Sequence, residues 1–128
     1  MMRTSAVLLL ANVALASAAV AVEKPDPCGG SANDAALRAC RDTNHKASER
    51  RLRETYEKLH TSHRKDEPKL AELLASAQKA WRSFRDVECR VQTYDSASGT
   101  MYDTYLLACL TKMNEERATS LQAMLDAP

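Results

Sequence analysis

Glycine and proline are scarce in this chain of 128 residues: there are three glycines and four prolines. Aromatic residues make up only 5%. Sandwiches and barrels need many turns and many β-branched or aromatic strand positions, so this scarcity argues against both. Excess charge of either sign is also missing. Eighteen Lys and Arg stand against 17 Asp and Glu, a net charge of +1. That excludes a strongly basic nucleic-acid binder and a strongly acidic chain. No C-x-x-C occurs, which leaves neither a thioredoxin-type redox site nor a haem attachment. The four cysteines lie 12, 49 and 20 residues apart, spacings that match no zinc finger. A serine-nucleophile motif and a glycine-rich phosphate loop are likewise missing. Catalysis, a cofactor and a metal are therefore not expected.

What is abundant is Ala, Leu, Glu, Lys and Arg, all good helix formers. The length suits one domain. The expected fold is all-α: an antiparallel three-helix up-down bundle with long helices, stapled by two disulfides at one end.

Residues 1–21 read as a secretory signal peptide. Arg3 precedes an uncharged apolar run, Ala6 to Ala16, and small residues follow with two A-x-A sites, Ala16-Ser17-Ala18 and Ala19-Val20-Ala21. The strongly apolar part is shorter than the ~20 residues a membrane span needs. The first cysteine, Cys28, follows Pro25-Asp26-Pro27 and does not suit lipidation. The reading is a chain that leaves the cytoplasm and keeps no membrane anchor after cleavage, hence periplasmic or secreted. Four cysteines in such a chain read as two disulfides among Cys28, Cys40, Cys89 and Cys109. Pairing Cys28 with Cys40 and Cys89 with Cys109 is preferred, and pairing Cys40 with Cys89 and Cys28 with Cys109 fits nearly as well.

An irregular lead-in over residues 22–32 precedes a helical domain over 33–126. The first helix is expected from Asn33 or Asp34, either a fair N-cap, to about Ser62. Its apolar positions include Leu37, Cys40, Leu52, Tyr56 and Leu59. The second starts near Asp66-Glu67-Pro68, with Asp66 suited to cap it. It carries the cleanest apolar stripe: Leu70, Leu73, Leu74, Ala77, Trp81, Phe84 and Val91. Leu70, Leu74, Trp81 and Phe84 are accordingly the expected core, with Cys89 flanking it about a third of a turn away. The third begins near Thr100 and carries Tyr102, Tyr105, Leu106, Cys109, Leu110, Met113, Leu121 and Met124. Helices of this length are ~40 Å long and must fold back on one another.

Few residues suggest chemistry. His60 and His63 are three apart, as some metal ligands are, but they fall in a polar turn where histidine is simply tolerated. His45 reads as solvated. Glu88 falls on the apolar stripe and needs a partner, an Arg or a Tyr hydroxyl, so a structural ion pair is the favoured reading. The segment Tyr94 to Tyr102 is different. It joins two helices and sets tyrosines among small polar residues, a composition that suits recognition. Tyr94, Asp95, Ser98 and Tyr102 are the candidate partner-binding residues.

Several motifs together resemble one family. Cys28 and Cys40 lie early, Leu52 to Tyr56 follows, and Ala77-Gln78-Lys79-Ala80-Trp81-Arg82-Ser83-Phe84-Arg85-Asp86-Val87-Glu88-Cys89 carries the most specific stretch. Ser98-Gly99-Thr100, Cys109-Leu110 and Glu116-Arg117 through Leu121 complete it. This pattern is similar to that of the LprI-type lysozyme inhibitors and spans nearly all of the chain beyond residue 21. The resemblance implies a small exported helical domain without a cofactor, some members of which inhibit lysozyme. The expected partner is then a protein, a lysozyme or another peptidoglycan hydrolase, with no nucleic acid. Rival readings are a periplasmic immunity protein against a delivered toxin and a structural or stress-related envelope protein without an enzyme target. Within the motif, Trp81 and Phe84 read as core, Cys89 as half of a bridge, and Arg85 and Asp86 as ion-pair formers to a neighbouring helix or as cap-like residues.

Overall fold

Asn33 starts the first helix: its side chain accepts a hydrogen bond from the Ala36 N–H at 2.9 Å, which satisfies one of the free donors of the first turn. The helix it caps, α1, runs Asp34–Arg64. In the computed structural model, which describes residues 24–127, α2 spans Pro68–Gln92 and α3 spans Tyr102–Leu125. A single 3-10 turn, Tyr94–Ser96, lies between α2 and α3. Among the described residues there is no strand. The signal-peptide reading over 1–21 lies outside the described residues, as do the first two residues of the lead-in.

Pro68 opens α2, where its missing N–H costs nothing. The N-cap there is Glu67, without a side-chain cap bond, so Asp66 does not cap the helix. The three helices run up, down and up, which leaves α1 and α3 parallel. Arg38 pairs with Asp103 near the start of both, and Arg51 pairs with Glu115 further along. The packing between α1 and α3 is the most extensive of the three contacts.

The buried positions follow a 3-4 rhythm on each helix. They are Ser48, Leu52, Thr55 and Leu59 on α1, Ala71, Leu74, Gln78, Arg85 and Cys89 on α2, and Thr104, Asn114, Ala118 and Leu121 on α3. Such spacing gives coiled-coil-like seams. The apolar core proper is small: Leu52, Leu59, Leu74, Ala118 and Leu121, with Tyr56, Trp81 and Leu125 packed against it.

Two core expectations fail. Leu70 and Phe84 are exposed. The reason is rotational. The most apolar stripe of α2 stands about a third of a turn from the stripe that faces α1 and α3, and the inner positions go instead to Gln78, Arg85 and Cys89. Cys89 is therefore fully buried rather than flanking the core. Burial on α3 is offset in the same way, following Thr104, Asn114 and Ala118 rather than Tyr105, Cys109 and Met113.

The disulfides are Cys28–Cys40, with Cα atoms 5.9 Å apart, and Cys89–Cys109, with Cα atoms 5.7 Å apart. The first ties the lead-in to α1. Asp26 reinforces it by accepting two bonds from Arg41, at 2.7 and 2.5 Å, and one from the Cys28 N–H at 2.9 Å. The Arg41 hydrogen bonds, followed by the Cys28 bond, hold the Asp26 carboxyl below its ordinary pKa. The second disulfide ties the end of α2 to the second turn of α3.

Candidate partner-binding end and the polar layer behind it

Thr93, directly after α2, anchors the connection to α3. Its N–H and its hydroxyl both donate to Cys89 O, at 3.1 and 2.7 Å, so the chain turns against the bridged cysteine itself. A relay of tight turns follows: Ser96 N–H to Thr93 O at 3.0 Å, Ala97 N–H to Tyr94 O at 3.0 Å, and Gly99 N–H to Ser96 O at 2.8 Å. Tyr102 N–H reaches Gly99 O at 3.3 Å, and Tyr105 N–H reaches Met101 O at 3.1 Å as α3 begins. A methyl group on residue 99 would stand 3.2 Å from Ser96 O, closer than packing comfortably allows, which accounts for glycine there. The connection is thus a hydrogen-bonded cap, closed at its base by Cys89–Cys109.

Its side chains point outward. Tyr94, Asp95 and Ser98 are exposed, and Tyr102 is half-buried. Tyr105 adds a second exposed ring on the first turn of α3. Beside this cap, α1 and α3 leave an open groove of about 540 Å³ lined by Ala35, Arg38, Ala39, Asp103, Leu106 and Leu107. The exposed Arg38–Asp103 pair, 2.7 Å apart, bridges that groove. Hydroxyls and aromatic faces are therefore presented on a hydrogen-bonded base next to a concave, partly apolar surface.

Below the cap lies a layer of polar side chains that sequence reasoning missed in part. Arg85, only 8% exposed, donates from Nη1 to Glu49 Oε1 and to Asn114 Oδ1, each at 2.6 Å. Its Nε and Nη2 donate to Asp86 Oδ1 at 2.9 and 2.8 Å. Asn114 Nδ2 donates to Ser48 Oγ and to Glu49 Oε1, both at 3.0 Å. Trp81 lies under the guanidinium groups of Arg85 and Arg117, at 5.4 and 5.8 Å from the ring centre. Burial alone would raise the Glu49 pKa. The Asn114 hydrogen bond, the Arg85 charge and the Arg85 hydrogen bond outweigh it and hold the group below its ordinary value. Arg85 pairs with a neighbouring helix as the sequence suggested, whereas Asp86 pairs with Arg85 on its own helix. Asn114 was not legible, because nothing in its own neighbourhood distinguishes it from a surface asparagine; only its place four residues before Ala118 and seven before Leu121 marks it as inward-facing.

The remaining singled-out residues behave differently from one another. His45 is not solvated. It is half-buried, its Nδ1 has no hydrogen-bond partner among the described residues, and desolvation lowers its pKa against the opposing pull of Glu49. His60 and His63 lie within the last turns of α1 and not in the turn after it: His60 stacks on Tyr56 with ring centres 5.6 Å apart, and His63 meets Glu67 at 2.6 Å. Among the described residues no group of three or more His, Cys, Asp or Glu is placed to hold a metal. Glu88 takes its hydrogen bond from Gln92 Nε2, at 2.9 Å, in place of an Arg or Tyr. Among the described residues no helix is long and apolar enough to cross a membrane.

Three similarities to known proteins bear on this arrangement. The family model described as "Lysozyme inhibitor LprI" matches residues 27–121. An uncharacterized protein of Rhizobium meliloti (strain 1021) is 24% identical over 131 residues, covering 94% of this chain and 91% of that protein. The crystal structure of a DUF1311 family protein from Pseudomonas putida KT2440 superposes with a TM-score of 0.67 at 28% identity, covering 72% of this chain and 93% of that one.

Proposed function

This chain belongs to the LprI family, and from that membership we propose that it is an exported, non-enzymatic binding protein that inhibits a lysozyme or a related cell-wall hydrolase. The site is the capped connection between α2 and α3. The observation that supports it is the double restraint on this segment: the Cys89–Cys109 bridge at its base and an unbroken relay of turn hydrogen bonds along it. A segment already held in one conformation loses little entropy on docking, so more of the contact energy remains as affinity.

Glycoside hydrolases carry two carboxylates in a cleft. The groups that engage them are hydrogen-bond donors, the hydroxyls of Ser98 and Tyr102. Tyr94 and Tyr105 supply aromatic surface of the kind that sugar-binding clefts accept at their rims. Export follows the signal-like segment at residues 1–21, and the working compartment is then the periplasm or the medium.

The test is a comparison of two variants of the oxidised protein. One replaces Tyr94, Asp95, Ser98 and Tyr102. The other replaces His60, His63 and Lys65 at the opposite end of the bundle, where no cysteine restrains the turn. Each is assayed against c-type, g-type and bacterial wall hydrolases, with helical circular dichroism as the folding control. The expected result is loss of inhibition in the first variant alone. Loss in the second alone overturns the assignment of the site, and absence of inhibition by the wild type overturns the function.

A further inference from the structure

The outward face of α2 carries a pattern that the fold does not use. Leu70, Ala77, Phe84 and Val91 are seven residues apart, and Leu73, Ala80, Val87 and Tyr94 repeat the same interval three residues on. Seven of them lie in α2 and fill the two apolar positions of a heptad without a polar residue, and Tyr94 follows in the 3-10 turn. All eight are exposed. The large ones, Leu70, Leu73, Phe84, Val87, Val91 and Tyr94, keep between 42 and 76% of their surface in contact with solvent. A single bundle has no reason to maintain a second seam about a third of a turn away from its own core, because leaving apolar surface in water is unfavourable. A 3-4 repeat is the geometry in which one helix packs its side chains between those of another.

We propose that a second copy of this chain covers this face, through an antiparallel pairing of α2 with α2 about a two-fold axis. Two arguments select that occupant. The first is area. Side chains of this size expose roughly 150 to 250 Å² when aromatic and somewhat less when aliphatic. The five large ones on α2 offer on the order of 500 Å² per copy and 1,000 Å² per pair, the threshold that a specific interface should reach. The second is self-complementarity of the sequence. With the helices crossing midway between Ala80 and Phe84, Ala80 faces Phe84 of the partner copy, Ala77 faces Val87 and Leu73 faces Val91. Small therefore meets large in the two central layers. A parallel pairing would set Ala77 on Ala77 and Ala80 on Ala80 and leave holes beside a Phe84–Phe84 contact. On one edge of the seam, Ser76 and Ser83 are small enough to let the helices approach. An interface that is the same patch on both copies closes as a dimer and does not propagate. The two capped connections then sit at opposite ends of the dimer, with Tyr94, Asp95, Ser98 and Tyr102 outside the seam.

The experiment is analytical ultracentrifugation of the oxidised protein over a range of concentrations, with Val87→Glu, Ala77→Lys and the double variant. All three variants change only exposed helical positions, so circular dichroism and melting temperature report whether the monomer fold is kept. The wild type is expected to sediment as a dimer at micromolar concentration. Each single variant is expected to weaken association by about 100-fold or more, as burying an unpaired charge in each half does. In the double variant, the new ammonium at position 77 meets the new carboxylate at position 87 of the other copy only in the antiparallel register. There it is expected to recover most of the association. A wild type still monomeric at about 100 micromolar, roughly 100-fold above the expected range, overturns the proposal. So does an unchanged dimer in Val87→Glu, and failure of the double variant to recover overturns the antiparallel register. A monomeric wild type whose hydrolase inhibition is abolished by Val87→Glu would assign the face to the target enzyme instead.

Discussion

The Arg85 guanidinium and the Asn114 side-chain carbonyl meet at 2.6 Å in the interior of the bundle, and each holds a second partner in Glu49. One residue comes from α2, one from α3 and one from α1, so this triangle sets the rotation and height of all three helices at once. Buried polar groups that are fully partnered specify a single arrangement, and they become costly when one member is removed.

Asn114→Ala is therefore expected to destabilise the protein by about 1 to 3 kcal/mol, since it takes a hydrogen-bond partner from the buried Arg85 and Ser48 and from the half-buried Glu49. Chemical denaturation of the oxidised protein measures it. A change below about 0.5 kcal/mol, the range of ordinary surface substitutions, would show that the triangle contributes little.

Stability should fall with acid in two windows. The folded pKa of His45 lies below the ordinary 6.5 because of desolvation. The unfolded chain therefore takes up a proton first, and the contribution is present above pH 6.5 and lost as pH falls through and below that value. The folded pKa of Glu49 lies below its ordinary 4.5, so its contribution is present above pH 4.5 and lost below it. Denaturation midpoints measured from pH 8 to pH 3 should show both declines. His45→Gln should flatten the upper one and Glu49→Gln the lower.

Trp81→Ala and Phe84→Ala should differ sharply. Trp81 packs against the core cluster and lies beneath two guanidinium groups, so its loss is expected to cost about 3 kcal/mol. Phe84 is exposed in the monomer, and its truncation is expected to cost under about 1 kcal/mol at concentrations where the chain is monomeric. Paired thermal melts decide the matter, and equal losses would place Phe84 in the core after all.

Replacing Cys89 and Cys109 together by Ala should cost about 3 kcal/mol for a loop of this length. Inhibition, where present, should fall further than stability does, because the base of the capped connection opens while the helices remain. Titrating inhibition and melting on the same sample separates the two effects.

Helix number, approximate ends and the connection order were legible in the sequence because they follow from local signals: Asn33 as a cap, Pro68 at a first turn, and Ser98-Gly99-Thr100 as a break. Which face of each helix turns inward was not. On α2 the apolar residues form two stripes, and hydrophobicity alone favours Leu70–Phe84–Val91, the one that stays outside. The inner stripe includes Gln78 and Arg85, polar side chains whose burial depends on partners contributed by α1 and α3. No window of sequence contains those partners together. The candidate site was legible as a segment, from its tyrosines and small polar residues, whereas the turn hydrogen bonds that stiffen it belong to the three-dimensional arrangement alone.

Consecutive cysteines are the ones that are joined, Cys28 with Cys40 and Cys89 with Cys109. A chain threaded N-terminus first into an oxidising space presents them in that same order. An oxidant that links each new thiol to the previous free one makes both correct bridges without rearrangement, a step that otherwise takes minutes to hours. Maturation can then proceed with a simple thiol oxidase and without an isomerase. The correctly bridged product should form at the same rate whether or not disulfide-shuffling activity is present.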